Sequence, residues 1–308
     1  MTISQQLDRL IHEFNQQQPL RAGSLIITVY GDLLAARGGA VWLGDVINLL
    51  EPLGINARHV RTAVSRLSKD NWISPHQVGR KSYYSLTDSG RKRFATATPQ
   101  IYAGPRSGWD KRWTAIILPD IKDINKDLAA KELGWLGFGK VARSVLAHPM
   151  PDMKIVLKAL DNLGMRDDVL LFTQSSDELT TGETLDALVH SCWNLEDLSL
   201  MYHAFLERYQ PVQAALHAED ALTPRDALLI RLLMVHEYRK ILLRDPRLPE
   251  ELMPTGWEGD QAYHLCRDIY QLLLQTSESY LSNHMTTQDG PLPPPGEEFY
   301  ERFNGLTP

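Results

Sequence analysis

The stretch ARHVRTAVSRLSK, residues 57–69, decides the fold of the N-terminal third of the chain. At about 100° per residue, the positions that share one narrow stripe of a helix are apolar, namely Ala57, Val60, Val64 and Leu67. The opposite face is polar and basic and carries Arg58, Arg61, Thr62, Ser65, Arg66 and Lys69. Together with Asn56 at the N-cap position, this pattern predicts an amphipathic helix with an exposed cationic face.

The segments on both sides of this helix predict two more helices and a β-hairpin. Residues 24–36 and 43–51 have apolar side chains at helical spacing and are followed by glycine or proline. After the cationic helix, an extended segment from Ile73 turns through GRK, residues 79–81, and returns as SYYSLT. Three helices followed by a hairpin with two cations at its tip predict a winged helix-turn-helix.

The returning strand carries two adjacent tyrosines, which a strand places on opposite faces. We expect Tyr84 to enter the core with Trp42, Trp72 and Leu86, and Tyr83 to point outward. An outward Tyr83 would either bond a phosphate group or pack on the hairpin, and the sequence leaves both interpretations open.

The chain is predicted to have an α+β fold with three domains. Thr87 is expected to cap a last basic helix, DSGRKRFA, and the Thr/Pro/Gly-containing connection 95–108 follows it. We therefore predict a winged-helix DNA-binding domain over 1–98, a central domain over 99–182 and a C-terminal domain over 183–308.

The central domain alternates between short apolar strands and helices. Strands are predicted at 113–119, 141–148 and 168–174, and helices at 122–133 and 151–163. This βαβαβ order predicts a small ferredoxin-like domain, with no evident fourth strand.

The C-terminal domain is predicted to be helical. Helices are expected from Asn194 to about 209, from Thr223 onward and over 260–281. The tail 290–303 begins as a proline-rich extended arm whose fold the sequence specifies weakly.

The charge of the chain is distributed unevenly. The formal net charge is −6, but residues 1–98 contribute +5, residues 99–182 contribute 0 and residues 183–308 contribute −11. Residues 1–98 are hereafter the basic head, and the rest of the chain is the acidic body. This distribution of charge predicts that the basic head binds a polyanion and that the acidic body has another role.

The cationic helix face and the hairpin tip suit double-stranded DNA. A helix fits the major groove, where arginine donates two hydrogen bonds to guanine while Ser, Thr and Lys contact phosphates. Arg80 and Lys81 at the hairpin tip would reach phosphate or the minor groove beside it. The alternative is a solvated helix face and a charged turn, but three features coincide here: the helix face, the hairpin tip and the charge of the region.

The sequence carries no recognisable catalytic or metal-binding motif, so we predict no enzyme activity, no metal and no cofactor. His236-Glu237 begins like the H-E-x-x-H zinc motif, but Lys240 stands where the second histidine is required. GFGK at 137–140 lacks the spacing of a phosphate-binding loop. Cys192 and Cys266 are two isolated cysteines without a C-x-x-C pattern, and we expect buried thiols.

A few basic residues of the acidic body are neighbours of apolar residues in the sequence. Arg143, His236, Arg239 and Lys240 are candidates to bind the phosphates of an anionic effector whose apolar part enters a pocket. The alternative is that Arg239 pairs with local acids and that His236 is an interfacial histidine whose hydrogen bonds are satisfied.

The chain is expected to be cytoplasmic. Its mean hydropathy is −0.27, and it has neither a run of about 18 apolar residues nor a basic-then-apolar N-terminus, so we expect no membrane span and no secretory signal.

Several separated motifs resemble the PaaX family of transcriptional repressors of bacterial phenylacetate degradation. The N-terminal part of the resemblance lies in LIITVYGDLLAARGGAVWLGDVINLLEPLGI, VRTAVSRLSKDNW and GRKSYYSLTDSG. The rest lies in WLGFGKVARSVLAHP, WNLEDLSLMYHAFLERY and LLMVHEYRKILLRDPRLPEELMPTGWEG, so the resemblance covers nearly the whole chain.

The resemblance implies a winged-helix head, a ferredoxin-like central domain and a helical C-terminal domain. It also implies a homodimer that occupies operator DNA until phenylacetyl-CoA releases it. The residues on the cationic helix face and at the hairpin tip lie where that fold places DNA contacts. The alternatives are an acyl-CoA-processing enzyme with a winged-helix appendage and an architectural or protein-interaction module without an effector.

Overall fold

The computed structural model describes residues 1–17, 22–119, 126–175, 182–218 and 222–307. Within them the chain divides into two compact units, each assembled from separate segments. The first unit contains residues 1–104, 205–239 and 262–308, and the second contains 105–204 and 240–261. The predicted linear division into three domains stays a prediction.

Helices and a small antiparallel sheet make up the N-terminal part of the first unit. The elements are α1 (Ile3–Gln16), α2 (Ala22–Thr28), β1 (Ala40–Trp42), α3 (Leu43–Leu50), α4 (Ala57–Lys69), β2 (Ile73–Val78), β3 (Lys81–Leu86) and α5 (Asp88–Tyr102). The strand order is β1-β3-β2, and both pairs are antiparallel. Between α2 and β1 the helix continues as a π-helical segment, Val29–Leu34, and a 3-10 turn, Ala35–Arg37.

The predicted helix over 57–69 is confirmed with the same bounds as α4. Asn56 caps it, because the side-chain oxygen accepts hydrogen bonds from the backbone N–H groups of Arg58 and His59 at 3.1 and 3.0 Å. The predicted end of the helix that begins near residue 24 is also confirmed. Gly38 and Gly39 follow it with φ values of +85° and +72°, a backbone conformation that glycine adopts without a Cβ clash.

One prediction for this part of the chain is wrong in detail, and one helix was not predicted. Residues 95–108 were predicted to be a connection, but α5 remains helical as far as Tyr102, so the first part of that prediction is wrong. The predicted cap of this helix is present, since the Thr87 hydroxyl accepts a hydrogen bond from Gly90 N–H. No helix was predicted for the N-terminus. There α1 forms with a capping box between Thr2 and Gln5, and its apolar side chains are buried.

The orientation predicted for the two tyrosines of β3 is also wrong. Tyr83 is 8% exposed and belongs to the core, whereas Tyr84 is half-buried. In the register of the sheet, Tyr83 lies opposite Trp42 of β1 and His76 of β2, and Tyr84 lies opposite Val41 and Pro75.

The second unit contains a four-stranded sheet and helices. Its elements are β4 (Arg112–Ile117), α6 (Lys126–Trp135), β5 (Gly139–Ala142), β6 (Val145–His148), α7 (Met153–Asn162), β7 (Leu170–Ser175) and α8 (Gly182–Cys192). The sheet order is β5-β6-β4-β7, with every pair antiparallel. The core is apolar and includes Ile116, Leu133, Leu146, Val156 and Leu160.

The succession β-α-β-β-α-β from β4 to β7 is that of the ferredoxin-like motif. The single strand predicted over 141–148 is wrong, because Arg143 and Ser144 form a turn that divides it into β5 and β6. This turn supplies the fourth strand that the sequence did not reveal. The beginning of the helix predicted over 122–133 lies outside the described residues, and α6 begins at Lys126.

The C-terminal region is helical, as predicted. It contains α9 (Leu195–Ala218), α10 (Pro224–Leu242), α11 (Glu258–His284), a short β8–β9 hairpin (Thr286–Thr287 and Gly290–Pro291) and α12 (Glu297–Tyr300). The predicted cap of α10 is confirmed, because the Thr223 hydroxyl accepts from Asp226 N–H at 3.1 Å.

The proline-rich tail has a defined fold, contrary to expectation. Its apolar side chains Leu292, Phe299, Phe303 and Leu306 are buried. Arg37 donates to the Pro293 carbonyl at 2.9 Å, and Gly296 N–H donates to the Ala36 carbonyl at 2.8 Å. The tail therefore packs on the N-terminal elements of the same unit.

A buried carboxylate, Asp32 in the π-helical segment, links the N-terminal and C-terminal parts of the first unit. Arg231 of α10 donates to one carboxylate oxygen at 3.0 Å. Arg302, Tyr102 and Tyr270 donate to the other at 2.9, 2.6 and 2.9 Å. Burial acts to raise the pKa of Asp32, but the two guanidinium charges and the hydroxyl hydrogen bonds outweigh it and hold the pKa below its ordinary value.

We predict that Asp32→Asn destabilises the protein by about 3–5 kcal/mol, because Arg231 and Arg302 would remain buried without their shared countercharge. Urea unfolding measures the change. The control is Asp161→Asn, which removes an ion pair with Arg166 whose two side chains are both 49% exposed and should cost less than about 1 kcal/mol. Equal costs for the two variants would contradict the role of Asp32.

A second buried polar group, His148 at the end of β6, lies in the second unit and is 1% exposed. Nδ1 accepts from Met150 N–H at 2.9 Å, and the Pro246 carbonyl lies 3.3 Å from Nε2. This pairing requires the neutral ring with its proton on Nε2. Burial, assisted by the charge of Arg106, lowers the pKa of His148 to about 4 despite the hydrogen bond to Pro246.

We therefore predict that His148 makes stability depend on pH. A histidine with a folded pKa of about 4 and an unfolded pKa of about 6.5 stabilises the fold above pH 6.5. That stability, up to about 3 kcal/mol, is lost as the pH falls from 6.5 towards 4. Urea unfolding at several pH values should show a smaller loss over this range for His148→Gln than for the wild type. The exposed His190→Gln serves as control, and an unchanged pH profile in His148→Gln would refute the prediction.

Candidate nucleic-acid interface

Helix α4 separates its apolar and basic side chains onto opposite sides. Val60, Val64 and Leu67 are 0%, 1% and 6% exposed, and the helix packs against α2 and α3. The six predicted DNA-binding residues of α4 are all exposed: Arg58, Arg61, Thr62, Ser65, Arg66 and Lys69. Burial of the apolar stripe therefore presents the predicted polar face to solvent.

The cations of this face are left without acidic partners by the residues that the structure describes. Within the described part of the chain, Arg58, Arg61, Arg66 and Lys69 make no side-chain ion pair or hydrogen bond. Thr62 differs, because its hydroxyl donates to the Arg58 carbonyl at 2.9 Å within the helix. An exposed set of unpaired arginines can donate to phosphates and to the edges of bases.

The tip of the β2–β3 hairpin carries the other two predicted cations. Gly79, at a φ of +59°, forms the turn, and Arg80 and Lys81 are exposed. The Lys81 ammonium lies 4.3 Å from the centre of the Trp42 ring, so a cation–π contact with β1 orients it. Trp42 was expected in the core, and its contact with Lys81 at the hairpin was not predicted.

Tyr83 is not placed to contribute to this surface. Its side chain is 8% exposed in the middle strand of the sheet, so the structure does not bring it together with the exposed cations. We leave Tyr83 out of the candidate interface.

The cations of α5 also have partners inside the first unit. Arg91 donates to the Gly38 carbonyl at 2.9 Å, and the Arg93 guanidinium lies 4.6 Å from the centre of the Trp72 ring. These two contacts attach α5 to the turn before β1 and to Trp72, the residue before β2.

The four residues considered for an anionic effector occur in both units. Arg143 and Lys240 are exposed residues of the second unit. In the first unit, His236 is 5% exposed, its Nδ1 lies 2.9 Å from the Thr28 hydroxyl, and its ring meets that of Phe14 edge-on. This geometry favours the interfacial interpretation of His236.

Arg239 is held by a neutral partner. It donates to the carbonyl and the hydroxyl of Ser24 at 3.2 and 3.1 Å, and burial lowers its pKa. Ser24 takes the place of the local acids that the sequence analysis considered as partners. An effector role for these four residues stays a prediction.

The described residues contain neither a membrane-spanning helix nor a cluster of metal ligands. No helix among them combines the length and the apolar composition needed to cross a membrane. Over the same part of the chain, no three His, Cys, Asp or Glu side chains come together as a possible metal site.

Three family models match successive parts of the chain. Residues 21–90 match the model described as PaaX-like protein, residues 106–185 match the PaaX protein central Cas2-like domain, and residues 193–283 match the PaaX-like protein C-terminal domain. The central match spans all four strands of the sheet in the second unit, β4 to β7.

One relative matches over almost the full length. The chain is 37% identical over 301 residues to the transcriptional repressor PaaX of Escherichia coli strain K12, which covers 97% of this chain and 95% of the relative. This relative is a repressor, in agreement with the prediction that the chain is not an enzyme.

A solved structure shares the fold. An uncharacterized protein from Mycobacterium tuberculosis superposes with a TM-score of 0.51 and 20% sequence identity, covering 82% of this chain and 96% of the other. At this identity the likeness concerns the fold alone.

Proposed function

This chain belongs to the PaaX family, and from that membership we propose that it is a cytoplasmic repressor that binds operator DNA through a winged helix-turn-helix. In this proposal α4 is the recognition helix and the β2–β3 hairpin is the wing. The observation that carries it is the exposed set of arginines on α4, which have no ion-pair partner within the described residues.

The chemistry of α4 suits a major groove. Arg58, Arg61 and Arg66 can donate to guanine edges, while Ser65 and Lys69 contact phosphates. Arg80 and Lys81 reach phosphates or the minor groove from the wing. Because each phosphate contact releases counterions, the affinity for DNA falls as the salt concentration rises.

We propose that the protein acts as a homodimer. Two copies of α4 would enter successive major grooves about 34 Å apart, on a site with matching two-fold symmetry. A specific site of this kind typically binds at around 10⁻⁸ to 10⁻¹¹ M.

We further propose that the regulated genes are those of phenylacetate degradation and that phenylacetyl-CoA is the releasing effector. This follows from the resemblance described above and from the PaaX name of the E. coli repressor. Release requires the effector to bind the DNA-incompetent arrangement more tightly than the competent one. A coupling of about 1–3 kcal/mol would shift operator affinity by about 5–150-fold.

Arg61→Ala should weaken binding to the upstream operator DNA by about 10-fold or more, since an arginine contact to a base contributes about 1–3 kcal/mol. Arg61→Glu should abolish the electrophoretic shift. Neither change should alter the melting temperature, because the Arg61 side chain is exposed. Lys158→Ala, an exposed cation of α7, is the control. Operator affinity that is unchanged in both Arg61 variants would refute the assignment of α4.

Phenylacetyl-CoA, but not free phenylacetate, should dissociate the complex with operator DNA. The thioester carries the phosphates that an anion site would recognise, and the free acid does not. Electrophoretic shifts with each compound, and with free coenzyme A as control, measure this. Equal release by phenylacetate would contradict the role of the phosphates.

A further inference from the structure

The wing carries one cation that lies against an aromatic ring. In the register of the sheet, Trp42 at the end of β1 lies opposite Tyr83 of β3. Lys81 precedes Tyr83 by two residues, so it is the diagonal neighbour of Trp42 on the same face of the sheet. Aromatic and long side chains reach each other at such positions. The Lys81 ammonium accordingly lies 4.3 Å from the centre of the Trp42 ring.

The place of the Trp42 ring depends on Gly44 in the first turn of α3. A Cβ atom added to Gly44 would come within 2.5 and 2.6 Å of atoms of the ring. Side chains do not adopt contacts this short, so any residue larger than glycine would displace the ring. Because position 44 has no side chain, the ring lies against the backbone of α3, where it meets Lys81.

The charge of Lys81 remains available to an external anion. Its side chain is exposed, and within the described residues it forms no ion pair. A ring face attracts the ammonium but brings no neutralising charge, so the N–H donors can still bind phosphate oxygens.

A carboxylate near Lys81, that of Asp45, has other partners. Burial raises the pKa of Asp45, and its hydrogen bonds from Thr286 and the charge of Lys81 act against this shift. Oδ2 accepts from the backbone N–H and the hydroxyl of Thr286 at 2.7 and 2.8 Å. The β8–β9 hairpin thus engages Asp45, and Lys81 stays with the Trp42 ring.

Arg80, the neighbouring cation of the wing, has no such support. It is exposed, and among the described residues it makes neither an ion pair nor a contact with an aromatic ring. A long cationic side chain loses rotamer freedom when it binds DNA, and one that is already held in position loses less. The wing therefore has one oriented cation and one unsupported cation.

We propose that Trp42 and Gly44 are positioning residues for DNA binding. The Trp42 ring, which lies against Gly44, holds the Lys81 ammonium where it meets a phosphate of the DNA backbone. This inference rests on the proposed function, because it requires the wing to contact DNA. It adds two residues that act on DNA binding through Lys81.

Fluorescence anisotropy with the upstream DNA at several salt concentrations tests the role of Lys81. Lys81→Met should reduce the slope of log affinity against log salt concentration by about 1, as expected for one lost phosphate contact. Failure of the wild type to bind this DNA would overturn the proposed function and this inference together. Wild-type binding with an unchanged slope in Lys81→Met would overturn this inference alone.

A double-mutant cycle tests the positioning by Trp42. Trp42→Leu should weaken DNA binding about two- to fivefold, the usual contribution of an exposed cation–π contact. It should have no effect in the Lys81→Met background. In the Arg80→Met background, which is the matched control, it should weaken binding as much as in the wild type. An equal effect in both backgrounds, or wild-type affinity in Trp42→Leu alone, would overturn the proposal.

Gly44→Ala gives a second cycle that keeps the Trp42 and Lys81 side chains. The added methyl group should displace the ring and weaken DNA binding, again only where Lys81 is present. Melting temperatures establish that each variant is folded, and the Gly44→Ala cycle decides the question if Trp42→Leu does not fold. Wild-type affinity in Gly44→Ala, or an effect that persists in the Lys81→Met background, would contradict the proposal.

Discussion

The first unit depends on the buried carboxylate of Asp32. It accepts hydrogen bonds from side chains of α5, α10, α11 and the C-terminal tail, over sequence separations of up to 270 residues. A buried ion pair of this kind adds little net stability over an apolar core but strongly disfavours any arrangement that leaves one partner alone. Its main effect is therefore specificity: the tail and the last helices have one position on the N-terminal elements.

This constraint bears on the proposed DNA-binding head. Asp32 lies in the π-helical continuation of α2, and α2 packs against α4. Helix α4, the proposed recognition helix, is thus one packed element away from Asp32, which binds Arg231 and Arg302. The N-terminal elements and most of the C-terminal elements belong to the same compact unit. The C-terminal elements therefore hold the segment that continues α2, the helix on which α4 packs.

Local sequence patterns predicted correctly those structural features that depend only on residues close together in the chain. Helix α4, its Asn56 cap and the hairpin turn at Gly79 follow from periodicity, capping and backbone conformation, so their positions were correct. The burial of Tyr83 was not predicted, because alternation separates the two faces of a strand but does not say how far each face is covered. The division of 141–148 into two strands was missed because a two-residue turn at Arg143 and Ser144 carries no glycine or proline signal. Asp32 and Arg231 did leave a signal, since each is a lone charge in an apolar helical run.

The sequence by itself determined the basic head, the cationic face of α4 and the family to which the chain belongs. These features lie in contiguous segments, where the order of side chains sets the periodicity and the charge. Only the tertiary structure decided how the C-terminal tail packs, which charges are buried together and which aromatic ring meets Lys81. Such contacts join residues far apart in the chain, and their existence depends on the packing of whole elements rather than on any local pattern.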